Sequence, residues 1–72
     1  MILIDERGHM VSDSSLIELH AFAIYVGLQR GWFQDKRIPH YDLTSPSKIQ
    51  KALRGGAKMV DSRELVSKAI RI

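Results

Sequence analysis

The chain has 72 residues, no cysteine, and a net charge of +3 from 11 basic and 8 acidic residues. That length predicts one domain, residues 1–72, whose core is small, since a chain of this size buries only about 60 % of its unfolded surface. The missing cysteines exclude disulfide scaffolds and thiolate metal sites, and 44 % hydrophobic content with well-mixed charges argues against disorder.

The N-terminal run Met1-Ile2-Leu3-Ile4-Asp5 is apolar and ends in an acid, the pattern of a short buried strand. It shows no basic region or cleavage pattern of a signal peptide, so a cytoplasmic location is expected. Glu6-Arg7-Gly8 reads as a turn and His9 to Ser12 as a second short strand. Ser15-Leu16-Ile17-Glu18 is a capping box that opens a helix. Leu16, Leu19, His20 and Ala23, together with Ile17, Ala21, Ile24 and Leu28, recur at helical spacing over a wide arc, which predicts a central helix. Gly27 suits its left-handed C-terminal residue. This is also the longest apolar stretch, and Glu18 and His20 break it, so no membrane span is expected.

Gln29 to Thr44 lacks periodicity and predicts a long irregular connection anchored by Trp32 and Phe33. Ser45 caps a second helix with Pro46 in its first position, and Gly55-Gly56 stops it. Ala57 to Val60 reads as a strand, and Asp61-Ser62-Arg63-Glu64 as the capping box of a last helix. The order β-β-α-loop-α-β-α predicts a small α/β fold: one sheet of about three short strands, at least partly parallel, packed by about three helices. If the first and last strands run parallel, Asp5 and Asp61-Ser62 meet at the carboxyl edge, where open α/β sheets bind ligands.

Four motifs recur in this order and spacing: Glu18-Leu19-His20-Ala21-Phe22-Ala23, Trp32-Phe33-Gln34, Pro39-His40-Tyr41-Asp42-Leu43-Thr44 and Arg63-Glu64-Leu65-Val66. With them the chain resembles the small bacterial and phage family catalogued as domain of unknown function 4031. The resemblance runs from about His9 to the C-terminus, with Ile4-Asp5 similar to the family's opening strand and acid. Only Glu6-Arg7-Gly8 stands where family members carry a longer insert. The resemblance implies a shared polar site and no particular activity.

The polar-aromatic loop is the candidate site, because catalytic and binding groups concentrate on loops held by a rigid scaffold. His40 and Asp42, two apart, point to one side in extended backbone, so the carboxylate can orient the imidazole or both can clasp the loop. Ser45, Ser47 and Lys48 at a helix start offer amide donors and a charge for an anion, or serve as capping alone. Trp32 and Tyr41 offer faces for stacking and Gln34 a hydrogen bond, whereas Phe33 reads as a core plug. Seven Lys or Arg from Lys48 onward, against Asp61 and Glu64, leave a basic C-terminal half.

The leading expectation is a small cytoplasmic protein, without a cofactor, that binds a nucleotide or another phosphorylated metabolite. Trp32, Gln34, His40, Tyr41, Asp42, Ser45, Ser47 and Lys48 would line its pocket, and in a phage setting it would sequester a signalling nucleotide. The alternative is a divalent-metal-dependent phosphoester hydrolase or nuclease. Asp5, His9, His40 and Asp42 would hold its metal, with Asp5, His40 and Asp42 catalytic. A third class is a protein-binding module that inhibits a host enzyme through the aromatic loop. A homo-oligomer is expected, because a small core without cysteine accompanies apolar positions such as Ile38, Ile70 and Ile72. Extended nucleic-acid binding is not expected, given the modest charge and the lack of a recognised motif.

Overall fold

The computed structural model describes residues 1–72, and it arranges them in three layers around one sheet. Four strands form that sheet: β1 (Ile2–Ile4), β2 (His9–Ser12), β3 (Tyr41–Asp42) and β4 (Lys58–Met59), in the order β3-β2-β1-β4. β1 pairs antiparallel with β2 and parallel with β4, and β2 pairs antiparallel with β3, so the sheet is mixed. The strand at Tyr41–Asp42 corrects the expectation of about three strands and of an irregular stretch through Thr44. A strand of two residues carries no alternation of its own, and pairing with β2 creates it.

The period of two along each strand sorts side chains to the two faces. Ile2, Ile4, Met10 and Tyr41 join Leu19, Ala23, Val26 and Ala52 in the main core, beneath α1 (Leu16–Val26) and α2 (Pro46–Arg54). Leu3 and Val11 point the other way and form a second, smaller core with Val60, Leu65 and Ala69 under α3 (Ser62–Lys68). Each helix starts where its cap predicts: Ser15, Ser45 and Asp61 accept from the backbone N–H of Glu18, Lys48 and Glu64 respectively. Gly27 ends α1 in the left-handed region at φ 95°, and the Leu28 N–H then closes on the Ala23 carbonyl.

Helix α1 lies against β1, β2 and α2, the central place expected of it, but it does not bury its whole apolar arc. Leu19, Ala23 and Val26 pack on the sheet, whereas Ile17 and Ile24 are 82 % and 75 % exposed. With the sheet as its floor and α2 beside it, α1 has no partner on its outer face, and the wide apolar arc outruns the surface available to cover it. No helix is long and apolar enough to cross a membrane.

After α1 a 3-10 turn (Arg30–Trp32) delivers Phe33 onto the core side of the sheet. The Phe33 ring lies edge-on to His20 with centroids 4.6 Å apart, and Nδ1 of His20 is bonded to the Tyr41 hydroxyl at 2.9 Å. Burial of His20, with the Arg30 charge adding to it, lowers the pKa of its imidazole below the ordinary value. The fold therefore holds the neutral ring, and stability from that ring is full above its unfolded pKa of about 6.5. It is lost as pH falls below that value towards the lower folded one. The protein is thus expected to melt progressively lower as pH falls from about 7 to 5. A His20→Gln variant is expected to show a shallower fall in the same calorimetric series. An equal slope in both would assign the pH dependence to other groups.

Candidate functional site

α3 spans only seven residues, and the core beneath it takes Leu3 of β1 and Val11 of β2. His9 at the start of β2, and β3 beside it, lie outside that core, and the polar side chains gather there. His9 on β2 and Asp42 on β3 are directly opposed partners in the antiparallel ladder, which brings their side chains together. His40, two residues before Asp42, shares its side of the strand. A backbone bridge between Gln34 and His40 closes the intervening loop and fixes where His40 enters β3.

Both imidazoles are oriented from behind. Nδ1–H of His40 donates to the Ile38 carbonyl at 2.8 Å. Nδ1–H of His9 donates to Oδ2 of Asp5 at 3.0 Å. Each bond leaves Nε2 without a proton in the neutral ring, so both Nε2 atoms present a lone pair towards Asp42. Oδ1 of Asp42 lies 3.6 Å from Nε2 of His40 and 4.0 Å from Nε2 of His9. Those separations exceed hydrogen-bond reach. They approach the spacing of roughly 3.3–3.5 Å between donor atoms bound to one tetrahedral ion with bonds of about 2.0–2.2 Å. One donor atom from each of His9, His40 and Asp42 lies within 4.8 Å of the others, the arrangement of a candidate metal centre.

Asp5 stands behind this trio and not in it, which corrects its expected place among the metal ligands. It is 2 % exposed, and its oxygens are fully engaged. Oδ1 accepts from the backbone N–H groups of Arg7 and His9, and Oδ2 from the His9 ring and the Ser62 hydroxyl. Burial is the largest single influence on its carboxyl and pushes its pKa up. The hydrogen bonds from the His9 ring, the His9 backbone and Ser62 together outweigh it and hold Asp5 below the ordinary carboxylate value. Asp5 therefore stays ionised and fixes the His9 tautomer, the part a carboxylate plays behind a metal-bound histidine. Asp5→Asn is expected to weaken metal binding about ten- to a hundredfold, read by competition with a chromogenic chelator. Unchanged affinity would mean that Asp5 only closes the turn.

A cavity of about 420 Å³ opens beside His9 and His40. Val11, Ile38, Leu65 and Val66 form its apolar wall, and Arg7, Lys36 and Arg37 bring three cations to it. Of these, sequence reasoning singled out Ile38 as an apolar surface position and Leu65 and Val66 as part of a motif, and none of the three cations as a site residue. Lys36 and Arg37 flank the polar-aromatic motif, which was the available signal. A second cavity of about 320 Å³ is lined by Trp32, Gln34, Thr44, Gly31 and Asp42.

The expected ligand-binding set is therefore divided. His40 and Asp42 meet at the trio, and Trp32 and Gln34 share a cavity with Asp42. Tyr41 points through the sheet into the core, 1 % exposed, and offers no face for stacking. Alternation puts it opposite His40 and Asp42. Ser45 and Ser47 bond to each other at 3.2 Å while Ser45 caps α2, and the Lys48 ammonium donates to the Gly27 carbonyl at 3.5 Å. None of these three residues lines any of the four cavities. His20, the remaining histidine, is clasped on the opposite side of the sheet.

Fold and site together define a small three-layer α/β protein that presents two histidines and a carboxylate at the open edge of a mixed sheet. A family model described as "Protein of unknown function (DUF4031)" matches residues 5–72, and the chain belongs to that family. No curated protein and no solved structure matches the chain.

Proposed function

We propose that this protein is a divalent-metal-dependent phosphoester hydrolase whose substrate is a small phosphorylated molecule. The observation that carries the reading is the trio His9, His40 and Asp42, with both Nε2 atoms free and both rings oriented from behind. Three protein donors leave coordination positions open, as catalytic sites do and closed structural sites do not. Imidazole and carboxylate donors suit zinc, manganese or iron. The same donors hold iron(II) in oxygen-activating sites, but Arg7, Lys36 and Arg37 at the adjoining cavity favour an anionic substrate.

His9, His40 and Asp42 would hold a divalent ion, which would supply Lewis acidity and activate water for attack. The chain's residues do the rest. Asp5 and the Ile38 carbonyl lock the two rings, so the donor atoms need no reorganisation. The three cations offset the charge of the phosphoryl oxygens, and the apolar wall excludes water from one side. The basic cavity replaces the start of α2 as the place for the anion, because there Ser45 caps the helix, Ser47 bonds to Ser45 and the Lys48 ammonium donates to the Gly27 carbonyl.

The reading includes a cytoplasmic setting and a homo-oligomer. Exposed Ile17 and Ile24 on the outer face of α1 support a second copy as the partner there. Sedimentation is expected to show more than monomer at micromolar concentration, and Ile17→Lys with Ile24→Lys to restore the monomer. A parent protein that is monomeric throughout would contradict it.

Activity is tested with nitrophenyl phosphate esters in the presence of zinc, manganese or iron(II). Turnover is expected with at least one ion and is expected to vanish with chelator. Turnover that ignores the chelator, or none with any ion, would contradict the reading.

A further inference from the structure

Two cavities adjoin the trio, each through different members of it. His9 and His40 line the larger one, and Asp42 lines the smaller. A phosphate monoester has one organic arm and would fill one cavity. A phosphodiester has two, and with its phosphorus at the trio each cavity receives one. The volumes of about 420 and 320 Å³ stand at the lower end of small-molecule sites, the scale of one ring-bearing arm each.

The chemistry of the two cavities specifies the arms. On the smaller side, Trp32 is 45 % exposed although it is the chain's only tryptophan and stands beside a core that takes Phe33 instead. An indole held half in solvent on a tight turn, with Gln34 and Thr44 beside it, suits a planar heterocycle that stacks and accepts hydrogen bonds. On the larger side, the wall of Ile38, Leu65 and Val66 suits a second ring. Arg7, Lys36 and Arg37 suit anionic or hydroxyl substituents on that arm.

From this arrangement we infer that the substrate is a dinucleotide-type phosphodiester: one nucleoside stacks on Trp32, the other fills the basic-rimmed cavity, and the bridging phosphate sits at His9, His40 and Asp42. The inference rests on the hydrolase reading and narrows it to a substrate class. In the reaction a water oxygen bonds to phosphorus and the bond from phosphorus to one nucleoside oxygen breaks. That nucleoside leaves as an alcohol with one proton of the water, the other proton passes to solvent, and a phosphomonoester stays on the second nucleoside.

The single tryptophan supplies the readout. Titration of the full chain with adenylyl-adenosine is expected to quench Trp32 fluorescence and to give a Kd at least about tenfold below that of adenosine monophosphate. By calorimetry, Trp32→Ala is expected to weaken the dinucleotide about tenfold or more and Trp32→Phe to restore most of the loss. Val66→Glu, on the far cavity, is expected to weaken it as well. Equal affinity for the two probes, or a Trp32→Ala variant that binds as the parent does, would overturn the inference. Metal-dependent monoesterase activity with no preference for the dinucleotide overturns this inference and leaves the hydrolase reading standing. A chain that takes up no metal yet shows the Trp32-dependent preference keeps the dinucleotide as its ligand and overturns the hydrolase reading instead.

Discussion

Replacing His40 by alanine is expected to lower divalent-metal affinity by more than about a hundredfold, beyond the ten- to hundredfold that loss of an outer partner costs. Phosphoesterase activity should fall to background with it. The fold should survive. The His40 backbone, not its ring, makes the bridge to Gln34, and the ring's one internal hydrogen bond runs to the Ile38 carbonyl. Its loss costs about 1 kcal/mol. Asp42→Ala should behave alike with still less effect on stability, because Asp42 is solvent-exposed and its carboxylate lies beyond hydrogen-bond reach of both rings. Calorimetric titration of metal together with a thermal melt separates the two consequences. Ligands must be deprotonated to bind, so affinity should also weaken as pH falls. A variant that melts well below the parent while binding metal as tightly would make the trio a structural clasp.

Gly8→Ala is expected to be the most destabilising of the simple glycine substitutions, by roughly 3 kcal/mol. Gly8 sits at φ 86°, where any side chain is strained, and a Cβ there would meet the Leu43 backbone carbonyl oxygen at 2.6 Å. That oxygen is backbone and cannot swing away as a side chain could. The Gly8 carbonyl also accepts from the Leu43 N–H at 2.7 Å, so the turn after β1 and the exit of β3 are clasped backbone to backbone. Relief of the clash pushes β3 from β2 and draws Asp42 away from His9. Total stability for a chain of this length is about 4–11 kcal/mol, so the loss is a large share of it. The melting temperature should drop by more than about 10 °C. Gly31→Ala is the control: a Cβ there meets nothing within 4 Å and the backbone is unstrained, so little change is expected. Equal melts for the two variants would show that β3 tolerates displacement.

The parts of this structure legible in the sequence are those set by neighbouring residues. Ser15, Ser45 and Asp61 announce three helices because a cap is a local bond to an amide three residues on. The parallel pairing of β1 with β4, which brings Ser62 to Asp5, follows from the order of elements. The shared side of His40 and Asp42 follows from a spacing of two. What local pattern does not carry is register. That His9 stands opposite Asp42 depends on how β2 meets β3, a pairing that joins residues far apart in sequence. The same pairing turns Tyr41 inward and makes β3 a strand at all. The role of Asp5 was likewise hidden, because an acid at a strand end reads as a ligand until its hydrogen bonds are seen to be filled. On α1 the apolar periodicity was real, but it speaks to what can be buried, and the sheet beneath covers only the side of Leu19 and Ala23.

Native mass spectrometry of the freshly purified full chain tests the central claim most directly. The account predicts one zinc, manganese or iron ion bound per chain in the parent, removed by chelator and restored on adding back the metal. It also predicts loss of that ion from His9→Ala, His40→Ala and Asp42→Ala proteins that melt near the parent. A parent that takes up no divalent metal, or folded variants that keep it, would contradict the account.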